Sequence, residues 1–165
     1  MSVVSFLQWL EQTSVSIGIR ESIWTYPIVE STHVLGLCLF LGLVIVLDLR
    51  LIGAIFRGVR VSQVQGRLFP WQMAGLAIMV VTGGLLFLAD PVRFYQNVFF
   101  WAKISFLMLA GVNMLAFHFT IYKTVDVWDF DTVTPVRARL AGWFSIVFWA
   151  GVVVSGRMIA YNWFD

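Results

Sequence analysis

One stretch of the sequence decides the fold class of this chain. Residues 27–47 have the sequence PIVESTHVLGLCLFLGLVIVL, in which apolar side chains dominate. An α-helix rises about 1.5 Å per residue, so roughly 20 residues span a hydrocarbon core of about 30 Å. Lipid offers no hydrogen-bond partners to a bare backbone, and a spanning segment must therefore be helical. This stretch predicts a transmembrane helix.

Three further stretches have the same length and character. They cover residues 69–89, 98–122 and 140–161. The chain has 165 residues, of which 60% are hydrophobic and 12% are charged, whereas soluble domains carry about 25% charged residues. The sequence predicts an all-α integral membrane protein with one domain, residues 1–165, folded as an up-down four-helix bundle. The connections leave no room for a soluble catalytic domain.

The first 20 residues predict an amphipathic helix that lies in the membrane interface. Apolar side chains recur there at near-helical spacing, with polar side chains between them. Farther along, Pro27, Pro70 and Pro91 suit first-turn or loop positions and predict helix ends. Pro135 is expected just before the fourth span.

Basic residues predict the orientation of the chain in the membrane. The first and third connections carry seven of the eleven: Arg50, Arg57, Arg60, Arg67, Lys123, Arg137 and Arg139. The positive-inside rule then places these connections in the cytoplasm and both termini on the opposite side. The net charge of +2 gives no argument for nucleic acid binding, so the expected surroundings are a lipid bilayer.

Both histidines of the chain, His33 and His118, lie inside predicted spans. Ionisable residues within a membrane cost free energy and usually mark function. Imidazole is a common axial ligand of haem iron in small helical bundles. We therefore expect both histidines to be metal ligands, each binding a b-type haem. A hydrogen bond to a neighbouring helix is the structural alternative.

The depths of the two histidines predict two separate sites. At 1.5 Å per residue, His33 lies about 9 Å below the outer membrane edge and His118 about 28 Å below it. Axial ligands of one iron must lie at similar depth, so the expectation is one or two haems per chain. Each site then lacks a second ligand, which Met108 (outer), Met73 (inner) or a neighbouring subunit could supply. Five-coordinate haem is a further possibility.

Glycine and methionine near His118 extend the predicted inner site. Gly111, Met114 and His118 recur at helical spacing, and a glycine notch beside imidazole could admit a porphyrin edge. For Arg50 and Arg139, near the inner membrane edge, snorkelling to lipid headgroups is expected.

Charged residues extend the predicted outer site around His33. Lys103 and Arg157 lie near the same edge and could hold anionic haem propionates. Snorkelling is the alternative for both. Glu30 precedes His33 by three residues on the same helix face, and it could accept a hydrogen bond from the second ring nitrogen when His33 binds haem.

Several short motifs resemble a family of small uncharacterised bacterial inner-membrane proteins. They are ESTHVLG (residues 30–36), LDLRLIG (residues 47–53), Lys103, the segment 113–118, and GRMIAY (residues 156–161). The resemblance covers nearly the whole chain and implies a multi-pass protein of the bacterial inner (cytoplasmic) membrane, without implying an activity. More distantly, the chain is similar in size and layout to b-type cytochromes and to CopD-like membrane proteins. It departs from the usual four-histidine diheme pattern.

Three functions remain open from the sequence. The first is a haem b protein that transfers electrons between membrane redox partners, such as a quinone and a redox protein, rather than a conventional enzyme. The second is a copper or other small-ion permease that uses His33, Cys38 and methionines as soft ligands. The third is a structural subunit of a membrane complex without cofactor. A homo-oligomer is expected, because each site has one histidine and the interior glycines permit close helix packing.

Overall fold

The computed structural model describes residues 2–131 and 133–161. All regular structure in these ranges is helical: α1 Val3–Glu11, α2 Ser14–Glu21, α3 Thr25–Ile52, α4 Val61–Ala89, α5 Pro91–Gln96, α6 Val98–Ala116, α7 Val125–Trp128 and α8 Val136–Met158. Between α6 and α7 the chain continues through a π-helical turn, Phe117–Ile121, and a 3₁₀ turn, Tyr122–Thr124. The prediction of an all-α protein is confirmed.

Four segments are long and apolar enough to cross a membrane. They are α3, α4, α8 and the continuous helical segment Val98–Trp128 that begins with α6. The number and order of the spans agree with the sequence prediction. The chain therefore has the helices of a multi-pass membrane protein.

Two predicted helix ends near the first connection are wrong. α3 extends to Ile52, so Asp48 lies inside the helix, and α4 begins at Val61 instead of residue 69. The predicted spans stop at the first polar residues, because hydropathy falls there. A helix continues past such residues as long as its backbone hydrogen bonds continue. α3 ends where Gly53 adopts a left-handed conformation with φ of 83°, which glycine reaches without steric cost. α8 begins four residues earlier than predicted, directly after Pro135.

The prediction that Pro70 marks a helix end is also wrong. Pro70 lies inside α4, as the tenth residue of that helix. Proline removes one backbone hydrogen bond and strains the preceding turn. The residue four positions earlier is Gly66, which is exposed and has open space around its backbone. The disturbed turn therefore lies near the end of the span, where such a loss is tolerated.

The N-terminal segment forms two helices instead of one. Thr13 interrupts it, because its side chain accepts a hydrogen bond from the Ser16 amide and caps α2. The Ser16 hydroxyl is buried and donates to the Ala89 carbonyl at the end of α4, at 3.5 Å. The segment therefore docks beside the connection between α4 and α5, with Trp9 exposed.

Close packing pairs α3 with α4, α3 with α8, and α6 with α8. Glycines permit two of these approaches. A Cβ atom on Gly75 would lie 3.0 Å from the Phe40 backbone nitrogen, and one on Gly151 would lie 2.7 Å from the Phe106 ring. Within the described ranges, α4 and α6 are not among the closely packed pairs. A gap is left between these two helices.

Candidate functional site

A cavity of about 430 Å³ lies between α4 and α6, and side chains of α3 and α8 complete its wall. Its lining is mainly apolar, with Phe40, Leu76 and Trp149 among the large side chains. Small-molecule and cofactor sites are typically concave, mostly apolar and about 300–1,000 Å³ in volume. We call this space the inner cavity, because it lies toward the membrane face that the basic connections predict to be cytoplasmic.

Three residues that the sequence singled out line the inner cavity together. They are Gly111, Met114 and His118, and Met73 joins them from α4. A Cβ atom on Gly111 would meet no atom within 4 Å. Close helix packing therefore does not explain this glycine, and the space beside it is open.

His118 lies in the π-helical turn that follows α6. Its ring stacks on Tyr122, with ring centroids 5.6 Å apart and an interplanar angle of 15°. The ring edge also meets Phe119. π-Helical turns redirect side chains and are frequent at functional sites. The turn presents an exposed imidazole at the cavity, with aromatic support on two sides.

Two polar residues of the inner cavity were not predicted as site residues. Asp48 is only 4% exposed, and Gln65 is partly buried. Asp48 Oδ2 and Gln65 Oε1 are the buried side-chain atoms that have no hydrogen-bond partner within the described residues. The Ser145 hydroxyl lies beside the Asp48 carboxyl group. Because an unpaired buried polar atom is costly, these oxygens favour an occupant that can donate hydrogen bonds.

Other polar residues of this cavity already have partners. The Gln72 side-chain amide donates to the Leu43 carbonyl at 3.3 Å and joins α4 to α3. The Asn113 amide donates to the Ala141 carbonyl at 3.0 Å and joins α6 to α8. These two side chains hold the cavity walls in place. In contrast, Asp48 Oδ2 and Gln65 Oε1 have no hydrogen-bond partner within the described residues.

A second group of residues, which we call the outer cluster, lies around the predicted site residues His33 and Lys103. It also includes Thr82, Gly83 and Gly156. His33 Nδ1 lies 2.9 Å from Thr82 Oγ1. The Thr82 hydroxyl also lies 2.6 Å from the Ile78 carbonyl. If it donates its single hydrogen there, His33 Nδ1 is the donor in the shared hydrogen bond and Nε2 keeps a free lone pair. Metal-binding histidines are usually oriented in the same way.

The predicted role of Glu30 is therefore wrong, because Thr82 holds the second ring nitrogen of His33 and Glu30 is exposed. Gly83 makes room for the imidazole. A Cβ atom at that position would lie 3.2 Å from His33 Cε1. The local sequence Thr82-Gly83 thus supplies an acceptor and a gap side by side on α4.

The two predicted cations of the outer cluster differ in their surroundings. The Lys103 side chain lies along Gly156 of α8, and its charge acts on His33. No hydrogen bond or ion pair joins Lys103 to another described residue. Arg157 instead donates to the Tyr161 hydroxyl at 3.1 Å and lies over that ring. Lys103 therefore belongs to the outer cluster, and Arg157 lies at its edge.

The two histidines occupy different depths. His33 contacts Thr82, whereas His118 shares the inner cavity with Phe69. Thirteen residues of α4 separate Phe69 from Thr82, about 20 Å at 1.5 Å per residue. His33 does not line the inner cavity.

Two other predicted ligands, Met108 and Cys38, lie outside both the inner cavity and the outer cluster. Met108 is 65% exposed and Cys38 is exposed on α3. In the part of the chain that the structure describes, no group of three or more His, Cys, Asp or Glu residues could hold a metal ion. A metal held here would have one or two ligands from the chain, as haem iron does.

Arg50 does not snorkel, contrary to the sequence prediction. It is 2% exposed, and its guanidinium donates to the Val59 carbonyl at 2.8 Å and to Thr134 Oγ1 at 3.2 Å. Asp129 is near enough to act on it electrostatically and also accepts from the Ser62 amide at 3.0 Å. These contacts tie the first and third connections together below the inner cavity.

Comparisons with curated proteins and with solved structures gave no match. A comparison with protein families gave one. The model of the Family of unknown function (DUF6644) matches residues 4–162, and the chain therefore belongs to that family.

Proposed function

We propose that this chain is a membrane protein that binds haem b and transfers electrons between redox partners. One observation carries the proposal. His118, Met73 and Met114 line a single apolar cavity, with open space beside Gly111. Imidazole and thioether are the axial ligands of many electron-transfer haems.

At the inner site, His118 is the first proposed axial ligand and Met73 or Met114 the second. Bound haem iron supplies the one-electron chemistry, while the protein provides binding and orientation. The cavity walls are fixed by the bonds of Gln72 and Asn113. The described residues that line this cavity include no lysine or arginine that would hold the propionates, and the Asp48 carboxyl group would not attract them.

At the outer site, His33 Nε2 is the proposed axial ligand of a second haem. The hydrogen bond with Thr82 orients the ring, and with Nδ1 as its donor the lone pair of Nε2 would be free for the iron. Lys103 has no carboxylate partner among the described residues and is the cation best placed for a propionate. Arg157 would have to exchange its contact with Tyr161 for one with a propionate.

The proposal includes the setting of the protein. We place an up-down four-helix bundle in a bacterial inner membrane, with both termini outside the cytoplasm and a second copy of the chain as partner. The connection residues Arg57, Arg60 and Arg139 support this orientation, because all are exposed near the inner ends of spans. Cysteine labelling of the N-terminus in intact cells tests it, and native mass spectrometry in mild detergent tests the oligomer.

The visible spectrum of the purified full-length protein tests the function. Haem b gives a Soret band and an α band that sharpens when dithionite reduces the iron. Pigment that co-purifies in proportion to the protein supports the proposal. Protein expressed with sufficient haem but purified colourless, and unable to bind added haemin, contradicts it.

A quinol-binding protein is the second candidate, and a specific observation favours it. Asp48 Oδ2 and Gln65 Oε1 have no hydrogen-bond partner within the described residues, and the lining of the cavity is mainly apolar. A quinol combines an apolar body with hydroxyl donors that match such acceptors. Organic extraction of the purified protein, followed by chromatography, tests this candidate. Bound quinone without haem bands would favour it over the haem proposal.

A further inference from the structure

A second, smaller cavity lies at the inner ends of α3 and α8. Its volume is about 180 Å³, and it is lined by Ile52, Gly53, Arg57, Val133, Thr134 and Arg139. α3 ends at Ile52 and α8 begins at Val136. The cavity therefore lies where two spans leave the hydrocarbon core, at the level of lipid headgroups.

Two arginines give this cavity an uncompensated positive charge. Arginine stays protonated in proteins, so Arg57 and Arg139 are both cationic. The Arg57 side chain is held by a hydrogen bond from its Nε to the Gly53 carbonyl. Within residues 2–131 and 133–161, the ion pair found is Arg20 with Glu11, so neither cavity arginine is paired with a described carboxylate.

A third cation, Arg50, lies beside the cavity and holds the hydroxyl group of Thr134, which is a further hydrogen-bond donor. Arg50 is buried and donates from Nη1 to Thr134 Oγ1 at 3.2 Å. Since the Thr134 oxygen accepts this bond, its hydroxyl hydrogen remains free to donate to an occupant. Two exposed guanidinium groups and one hydroxyl donor thus meet in one concave space, beside the apolar side chains of Ile52 and Val133.

From this arrangement we infer that the small cavity is a binding site for a phosphate group. Guanidinium groups pair with phosphate through two parallel charge-assisted hydrogen bonds, and the fit is better for arginine than for lysine. The headgroup of an anionic phospholipid and free inorganic phosphate share this chemistry. The site does not depend on the proposed haem, because none of its residues lines the inner cavity.

The test uses purified full-length protein in a neutral detergent. Phosphatidylglycerol and phosphatidylcholine are titrated separately, and native mass spectrometry measures bound lipid. In a parallel arm, inorganic phosphate is compared with chloride at equal ionic strength by thermal unfolding. The site variant is Arg57→Gln with Arg139→Gln. The control, Arg60→Gln with Arg137→Gln, removes the same charge from exposed positions outside the cavity.

We expect phosphatidylglycerol affinity to fall by about tenfold or more in the site variant, because charge-assisted hydrogen bonds are lost, and to stay near wild type in the control. This result identifies a lipid headgroup. Protection by inorganic phosphate that only the site variant loses identifies free phosphate. Equal losses in both variants, or no loss in the site variant, would overturn the inference. If the double variant does not fold, Arg139→Gln alone decides, since this exposed side chain has no bonded partner among the described residues.

Discussion

A cofactor site needs an oriented ligand and enough space for the cofactor. The outer cluster shows the first of these properties, and the inner cavity shows the second. In the outer cluster, the hydrogen bond with Thr82 orients the His33 ring. His118 has no comparable hydrogen bond in the described structure, but it stands at a cavity of about 430 Å³. Orientation of a ligand and space for its partner are separate properties. Each region of this molecule shows one of them clearly.

The polar atoms of the two regions differ in the same way. Hydrogen bonds in an apolar environment are costly to leave unmade. The outer cluster satisfies its imidazole within the chain, and the inner cavity leaves Asp48 Oδ2 and Gln65 Oε1 unsatisfied. A hydrogen-bond donor in the inner cavity would therefore lower its energy, as an anion beside Lys103, which has no ion-pair partner among the described residues, would lower that of the outer cluster. Variants that act on one region and spare the other test this contrast.

Removing both histidines should have the largest effect. The variant His33→Ala with His118→Ala is expected to lose nearly all haem absorbance, because both axial imidazoles are gone. Each single variant should lose roughly half, since the sites are separate and a haem without its histidine is weakly held. Quantitative pyridine haemochrome assays per mole of protein measure this. If each single variant loses the entire signal, one haem uses both residues and the depth argument is wrong.

Filling the space beside Gly111 should close the inner cavity alone. Leucine at this position meets no atom within 4 Å of its Cβ, so Gly111→Leu should fold and yet exclude a planar ligand. We expect its haem content to match that of His118→Ala. Gly42→Leu is the matched control, because Gly42 also has open space around it and does not line the cavity. Normal haem content in Gly111→Leu would place the inner ligand elsewhere.

The sequence predicted the number and order of the spans and placed both histidines within helical segments. Length and hydropathy predict a transmembrane helix because the bilayer imposes them, and α6 begins at the predicted residue, Val98. Hydropathy could not predict that Asp48 continues α3, since a charged residue lowers the average whether it faces lipid or a neighbouring helix. The helix break at Thr13 was not predicted, although threonine is a preferred N-cap residue and is a signal of such a break.

Pairwise relations within the sites could not be predicted from one sequence. Thr82 and His33 are 49 positions apart, and helical periodicity relates only residues on the same helix. For this reason Glu30 was the available partner for His33 and Thr82 was not. The gap between α4 and α6 is likewise a property of helix packing. The sequence predicts a notch at Gly111, and the structure adds that no neighbouring atom lies within 4 Å of a Cβ placed there.

The outer cluster can be tested through the acceptor that orients His33. Thr82→Val keeps the shape of the side chain and removes the hydroxyl. Loss of such an orienting hydrogen bond typically weakens metal binding by about 10–100-fold, and we expect the lower part of that range for haem affinity at the outer site. The titration is done in the His118→Ala background, where only that site remains. Thr82→Ser should retain affinity, and equal weakening in both variants would show that packing, and not the hydrogen bond, matters.

The smallest expected effect concerns the buried carboxyl group of the inner cavity. Asp48→Asn replaces a buried carboxyl group, whose ionised form is costly in an apolar setting, while Ser145 can still bond the new side chain. In protein stripped of ligand we expect stabilisation on the order of 1 kcal/mol, which raises Tm by about 2–4 °C for a chain of this size. Differential scanning fluorimetry measures it, with the exposed Asp126→Asn as control. A lower Tm would mean that the Asp48 carboxylate has a stabilising partner within the folded chain. Asp48 would then resemble His33 of the outer cluster, which has its partner in Thr82.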